Sequence, residues 1–192
     1  MSKAFTYHLV VGWAENRWKT HQFLKGLEKA GGLQIDNPRK ADLIITHSAG
    51  GHINPNDINP KLIAIVAPCY LPEQSFLVAT AKEWVMDCIY YFRHFLFISW
   101  LKKNLYYLFF GLAHPRRTYS IYKQVIVPLD LSSLKRFKVT LIRNHNDFFC
   151  SEQILNISKQ YSNISFYELP GRHDDLWVNP QPYINLILRG LK

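Results

Sequence analysis

The sequence is poor in cysteine, and its three cysteines lie far apart. Cys69, Cys88 and Cys150 form no CxxC pair, and such an odd, sparse set does not make a disulfide framework. Nor does any set of cysteines and histidines have the spacing of a zinc finger. We therefore expect the thiols to be reduced, as they are in cytoplasmic proteins.

The sequence also lacks an apolar run long enough to cross a bilayer. Its longest uncharged apolar stretch, residues 104–113, is about half the roughly 20 residues that a spanning helix requires. The first residues hold no apolar segment of signal-peptide length and lead directly into a predicted strand. From these two features we expect a cytoplasmic location.

Acidic residues are scarce relative to basic ones. The chain has 14 aspartates and glutamates against 23 lysines and arginines, for a formal net charge of +9. Such a balance suits nucleic acid, an anionic membrane surface or simply a basic soluble protein. Because the basic residues cluster only in pairs and no nucleic-acid-binding motif occurs, we expect no nucleic-acid partner. Contact with a membrane surface stays open as an alternative.

Strands and helices alternate along most of the chain. With 192 residues, 48% of them hydrophobic, the sequence is long enough for one globular domain with a core. Helical spacing predicts helices at residues 16–31, 152–161 and 182–191. Apolar runs predict five main strands, at residues 7–11, 42–47, 62–67, 138–143 and 164–169, with residues 33–35 as a remnant of another. This order predicts an α/β fold with a mostly parallel sheet of about five strands flanked by helices.

Residues 74–127, which we call the insertion, interrupt this alternation. They are rich in Phe, Tyr and Trp, and no proline occurs between Pro72 and Pro115, so one or two long helices are predicted. Large side chains at helical spacing usually pack in a core. The insertion, however, must cover the edge of the sheet at which the strands end. We therefore expect the insertion to line a pocket for an apolar acyl or aryl group. Its basic residues, Arg93, Lys102 and Lys103, also suit a membrane interface.

Ser48 is the candidate nucleophile. It directly follows the strand at residues 42–47, and a nucleophilic serine in an α/β protein lies on a strained turn between a strand and a helix. Such a turn accepts only small residues two positions before and after the serine. Gly50 meets this requirement on one side. On the other side Thr46 is small but is not the usual glycine. The amide of Ala49 would then face a developing oxyanion.

His173 and Asp147 are the candidate base and acid. A serine hydroxyl attacks only when a base takes its proton, and the base needs an acid to fix its tautomer. Asp147 follows the strand at residues 138–143, and His173 follows the strand at residues 164–169. Three residues of the required types, in the order Ser, Asp, His, therefore each follow a predicted strand.

Simpler interpretations exist for the serine and the acid. Ser48 could be an ordinary turn residue, and Asp147 could cap the helix that begins near Ser151. Asp174 and Asp175 are rival acids, but because they adjoin His173 we expect them to be surface or loop residues.

The remaining histidines have structural interpretations. His47 and His52 flank the serine turn, where we expect them to pack or to form hydrogen bonds. A metal site made of His47, His52, Asp57 and His145 is conceivable, but no ligand spacing supports it. The others lie in the first strand, the first helix and the insertion: His8, His21, His94 and His114.

Taken together, these segments resemble the α/β-hydrolase superfamily. Residues 47–51 resemble its nucleophile elbow, residues 11–13 its oxyanion glycine loop, and residues 146–147 and 171–174 its acid and histidine loops. The resemblance covers roughly residues 5–70 and 137–190. It implies a single domain spanning residues 1–192, with residues 74–127 as the variable cap of the family.

The resemblance is to a reduced member of that superfamily. Little chain separates Gly32 from Asp42, where the family fits a further strand and helix, and Pro55 and Pro60 shorten the helix after the elbow. Val11 also replaces the usual histidine before the first glycine. None of these departures removes a catalytic group.

The activity that the resemblance implies is hydrolysis of carboxylic esters by an esterase, lipase or thioesterase. Ser48, His173 and Asp147 would form the catalytic triad, and the amides of Ala49 and Trp13 (or Ala14) would hold the oxyanion. This chemistry requires no metal or organic cofactor. Two alternatives stay open: a non-catalytic binding protein on a hydrolase shell, and an acyltransferase that uses the same triad.

Overall fold

The sheet has six strands, all parallel. The structure is a computed structural model that describes residues 4–12, 17–71, 76–125, 127 and 129–192. The strand order is β2-β1-β3-β4-β5-β6. The strands are β1 Phe5–Val10, β2 Gly32–Gln34, β3 Leu43–Ser48, β4 Leu62–Pro68, β5 Val139–Asn144 and β6 Ile164–Leu169. The predicted parallel α/β class is confirmed: the five main strands are present, and the sixth, β2, overlaps the predicted remnant at residues 33–35. The additional strand, β2, is a three-residue edge strand without the buried apolar run that marks the others.

Seven α-helices accompany the sheet in the part of the chain that is described. They are α1 Arg17–Lys29, α2 Phe76–Arg93, α3 Phe97–Ala113, α4 Pro115–Val125, α5 Gln153–Ser158, α6 Asp175–Val178 and α7 Gln181–Leu191. The insertion thus holds three helices, so the expectation of one or two was wrong. Phe95, at φ 54°, separates α2 from α3. Pro115 opens α4 because proline is accepted at the first position of a helix.

Helices and loops cover both faces of the sheet. Successive side chains of a strand point to opposite faces, so Leu43 and Ile45 of β3 belong to one core while Ile44 belongs to the other. The first core includes residues of α1 and α7. The second includes Ile154 of α5 and Leu134, which lies in a 3-10 turn before β5. Burial on both faces explains why β3 and β4 are nearly continuous apolar runs.

The strand order creates a crevice beside β3. From β1 the chain moves outward to β2 and then returns to β3 on the other side of β1. In open α/β sheets, ligands bind at the carboxyl ends of the strands where the order reverses in this way. Gly12 follows β1 and Ser48 ends β3, so both lie at this crevice.

The insertion packs against the same edge of the sheet. Val125 of α4 lies in a small buried cluster with Ala49 and Cys69, and Phe76 and Ile121 of the insertion pack against that cluster. Contact with Ala49 places the insertion next to Ser48. Among the described helices, none is both long and apolar enough for a membrane span.

Candidate active site

Ser48 lies on a strained turn. Its backbone has φ 57° and ψ −130°, a conformation that costs a residue other than glycine about 1–3 kcal/mol. Only a 3-10 turn, Ala49–Gly51, follows it, so the shortened helix expected there is reduced to one turn. A Cβ atom on Gly50 would lie 2.4 Å from the carbonyl oxygen of Val10, and this contact explains why position 50 needs glycine.

The three predicted catalytic side chains lie together. His173 Nε2 is 2.9 Å from Ser48 Oγ, and His173 Nδ1 is 2.9 and 3.0 Å from the two carboxylate oxygens of Asp147. Because a carboxylate only accepts, Nδ1–H donates to Asp147, which leaves Nε2 of the neutral ring to accept the Ser48 proton. This is the geometry that activation of a serine hydroxyl requires.

The acid and the base are both removed from solvent. Asp147 is buried, and its Oδ1 also accepts a hydrogen bond from the amide of Phe149 at 2.9 Å. Burial by itself lowers the pKa of His173, but the charge and hydrogen bond of Asp147, together with the charges of Asp174 and Glu83, raise it to about 9. The neutral imidazole that can accept the Ser48 proton therefore predominates only in alkaline solution.

Two buried side chains hold the loop that carries His173. The Nε2–H of His47 donates to the carbonyl oxygen of His173 at 2.9 Å, and Asn144 Nδ2 donates to the carbonyl oxygen of Arg172 at 2.6 Å. Asn144 in turn accepts a hydrogen bond from the Tyr183 hydroxyl at 2.6 Å. His47 thus forms the kind of hydrogen bond expected of it. Asn144 was not singled out from the sequence, although a polar residue at the end of a buried strand is a usable sign of such a role.

The loop after β1 lies against the serine turn. A Cβ atom on Gly12 would be 2.8 Å from Ser48 Cβ and 3.3 Å from the amide nitrogen of Ala49. The Ala49 amide therefore lies beside this loop, and its role as an oxyanion donor stays a prediction. The other expected donor, Trp13 or Ala14, lies outside the described residues.

A cavity of about 650 Å³ begins at Ser48 and His173. All three helices of the insertion contribute to its wall, and each of them supplies at least one aromatic side chain. The aromatic contributors are Phe76, Trp84, Tyr107, Tyr119 and Tyr122. The volume and the lining are typical of sites for small, largely apolar ligands.

One side of this cavity is charged. Asp174 Oδ2 is 3.2 Å from Lys19 Nζ and 3.2 Å from the hydroxyl of Tyr107. Burial raises the pKa of Asp174, but the nearby cations, first Lys19 and then His173, lower it below its usual range. Asp174 is thus a residue of the turn before α6, as expected, and it is half-buried there, where the hydroxyl of Tyr107 from α3 contacts it. Asp175 is half-buried, and the acid that hydrogen-bonds to His173 is Asp147.

Arg172 joins the insertion to the same loop. Its guanidinium donates to Glu83 Oε1 at 2.6 Å and also to Asp87, and Lys103 Nζ lies 2.6 Å from the other oxygen of Asp87. Burial raises the pKa of Glu83, and the charge of Arg172 opposes that rise. These ion pairs connect α2 and α3 to the residue that precedes His173. No feature of the sequence predicts them, since the partners are far apart along the chain.

The metal ligands considered from the sequence do not converge. His47, His52, Asp57 and His145 are not a group whose ligand atoms come within 4.8 Å of one another. In the described part of the chain, His47, His173 and Asp174 do have ligand atoms that lie this close to one another. However, both ring nitrogens of His173 are hydrogen-bonded within the proposed triad, and His47 Nε2 donates to a carbonyl oxygen. These three side chains are therefore better explained as members of a hydrogen-bond network than as metal ligands.

The sequence matches no family model and no curated protein. Similarity appears instead among solved structures. An α/β hydrolase enzyme from a Medee basin deep-sea metagenome library aligns with TM-score 0.68 and 12% identity over 98% of this chain and 89% of its own. A carboxylesterase of the thaumarchaeon Nitrososphaera gargenis aligns with TM-score 0.61 and 13% identity over 98% and 90%. The thioesterase domain of the curacin biosynthetic pathway aligns with TM-score 0.59 and 12% identity over 97% and 92%. This chain therefore has the α/β-hydrolase fold.

Proposed function

We propose that this protein hydrolyses carboxylic esters, with Ser48 as nucleophile, His173 as general base and Asp147 as the acid that orients the base. The observation that carries the proposal is the unbroken hydrogen-bonded chain from Ser48 Oγ through both ring nitrogens of His173 to Asp147. The structural neighbours, an α/β hydrolase, a carboxylesterase and a thioesterase domain, favour the same class of reaction.

The first half of the reaction forms an acyl-enzyme. Ser48 Oγ attacks the ester carbonyl carbon while its proton passes to His173 Nε2, and the carbonyl electron pair moves onto oxygen. The amides of Ala49 and Trp13 would stabilise this oxyanion. When the oxyanion collapses, the alkoxide leaves with the proton from Nε2, and the acyl group stays on Ser48.

The second half releases the acid. His173 Nε2 takes a proton from water, whose oxygen attacks the acyl carbon, and the proton then returns to Ser48 Oγ as the acyl bond breaks. The negative charge of Asp147 stabilises the imidazolium that forms in both halves. An alcohol or amine in place of water would make the same residues an acyltransferase.

The insertion is proposed to be the cap of a single domain that spans the chain, and to select the acyl group. Phe76, Tyr107 and Tyr122 come from three different helices and line the cavity next to Ser48. An acyl or aryl group would gain about 0.8 kcal/mol for every methylene that it buries there. The apolar lining favours such substrates over small polar esters.

The test is hydrolysis of p-nitrophenyl butyrate by the full chain and by Ser48→Ala. We expect the substitution to lower kcat by about 10⁴-fold or more, because triad members act as a unit. Ser162→Ala, at an exposed serine, is the matched control and should keep full activity. Activity that survives Ser48→Ala unchanged would refute the nucleophile. A folded wild-type protein with no activity on any ester of a series would favour the non-catalytic alternative.

A further inference from the structure

The insertion exposes an unusual amount of apolar surface. Among the described residues, every exposed large hydrophobic side chain except Leu33, Val127 and Val178 lies in α2, α3, α4 or the turns between them. Phe95 is 96% exposed, and Leu112 of α3 is 69% exposed. Soluble monomers rarely expose apolar residues at such density, and surfaces of this kind usually mark an interaction site.

Helix α3 turns polar side chains toward the protein and apolar side chains toward solvent, the reverse of most helices in soluble proteins. Its inner side lines the cavity with Lys103, Asn104, Tyr107 and Gly111. Its exposed apolar residues, which we call the outer stripe, recur at helical spacing along its length: Phe97, Ile98, Leu101, Leu105, Leu108, Phe109 and Leu112. At 1.5 Å per residue the stripe is about 22 Å long. A helix that turns its polar side inward and its apolar side outward needs an apolar partner outside the protein.

The charges around the outer stripe have one sign. The only acidic residues in α2, α3 and α4 are Glu83 and Asp87, and Arg172 pairs with both of them. The exposed ionic residues of these helices are all basic: Lys82, Arg93, Lys102, Arg116, Arg117 and Lys123. Apolar residues flanked only by cations match the interface of an anionic bilayer, where acyl chains lie beneath negative headgroups. A second copy of this chain would bring cations against cations.

The cavity opens within this same group of helices. Trp84, Tyr119 and Tyr122 line the cavity, yet they are 50%, 60% and 40% exposed. They therefore lie at its mouth, on helices that also carry exposed apolar residues.

We propose that the outer stripe docks this protein on the surface of an anionic lipid bilayer, with the basic residues of the insertion against the headgroups. The helices lie in the interface without crossing it. Docking brings the acyl region of the bilayer to the helices that surround the cavity mouth. The proposal concerns binding and does not depend on catalysis.

Co-sedimentation of the full chain with vesicles tests the proposal. We expect it to bind vesicles of phosphatidylcholine mixed with phosphatidylserine, and to bind pure phosphatidylcholine vesicles far more weakly. Binding to the anionic vesicles should fall as salt is raised, because salt screens the attraction between the basic residues and the headgroups. Equal binding to both kinds of vesicle, or to neither, would overturn the proposal.

Paired variants separate the apolar and the ionic contributions. Leu101→Ser combined with Leu108→Ser should weaken binding roughly tenfold or more, whereas Leu33→Ser, at an exposed leucine of β2, should not. Arg116→Gln combined with Arg117→Gln should weaken binding roughly thirtyfold, since each basic residue near an anionic surface is worth about 1 kcal/mol.

Measuring the oligomeric state tests whether the outer stripe binds a second copy of this chain instead of a bilayer. Light scattering should give a monomer, for the wild type and for the leucine pair alike. A wild-type dimer that the Leu101→Ser, Leu108→Ser pair dissociates would show that the outer stripe binds a second copy, and would overturn the proposal. Circular dichroism checks that the variants are folded. If the leucine pair unfolds, the arginine pair and the lipid dependence of the wild type still decide the matter.

Discussion

Replacing Asp147 with Asn should change the pH dependence of ester hydrolysis in a defined direction. Asp147 is the main cause of the raised pKa of His173, about 9 against an ordinary 6.5, while burial acts in the opposite sense. Only the neutral imidazole accepts the Ser48 proton, so kcat/KM of the wild type should rise with pH, about tenfold per unit, until it levels off near pH 9.

In Asp147→Asn the pKa of His173 should fall, because burial, which lowers it, is no longer opposed by the charge and hydrogen bond of Asp147. The profile should therefore level off at lower pH. Its plateau should lie about 10⁴-fold below that of the wild type, because the amide holds the wrong tautomer of His173.

The assay is kcat/KM for p-nitrophenyl butyrate from about pH 6 to 10, corrected for spontaneous hydrolysis. Asp130→Asn, at an exposed aspartate, is the control and should leave the profile unchanged. A wild-type profile that is already flat above about pH 7 would refute this reasoning, and so would an Asp147→Asn profile with the wild-type midpoint.

Three further outcomes follow from the structure. Gly50→Ala should lower the free energy of unfolding, measured in urea, by about 2 kcal/mol and reduce activity, because the new Cβ would lie 2.4 Å from the Val10 carbonyl oxygen. The control, Gly51→Ala, should have little effect, because its Cβ would have no neighbour closer than 3.6 Å. Asp42→Asn should cost about 2 kcal/mol at neutral pH, because Asp42 accepts hydrogen bonds from Lys61 and Thr6. Those bonds lower its pKa to about 2, so its contribution to stability is present above about pH 4 and is lost as the pH falls through about 2. Across p-nitrophenyl esters from acetate to decanoate, kcat/KM should rise about fourfold per methylene until the cavity is filled; a flat series would rule out the acyl pocket.

The sheet could be predicted from the sequence because its strands are buried on both faces. β3, β4 and β5 consist almost entirely of buried residues, which makes them apolar runs that are easy to find. β2 pairs only with β1 at an edge and is largely exposed, so its sequence carries no such pattern. The insertion is recognisable as helical, but the break near Phe95 has no proline or glycine to mark it.

The candidate site also has a part that the sequence predicts and a part that it does not. Ser48, Asp147 and His173 each follow a strand, and parallel strands bring their carboxyl ends to one edge, so local sequence and topology predict that the three meet. The ion pairs of Asp174 and Arg172 with the insertion arise from contacts between segments far apart along the chain. Local pattern and strand order carry no information about such contacts.

The most direct test of the proposed function is covalent labelling with a fluorophosphonate probe. Such probes react with serines activated by a neighbouring base, which is the role proposed for His173, 2.9 Å from Ser48 Oγ. Mass spectrometry of the labelled full chain should find the adduct on Ser48, and both Ser48→Ala and His173→Ala should prevent labelling. Failure of the folded wild-type protein to react, or an adduct on any other residue, would contradict the proposed mechanism.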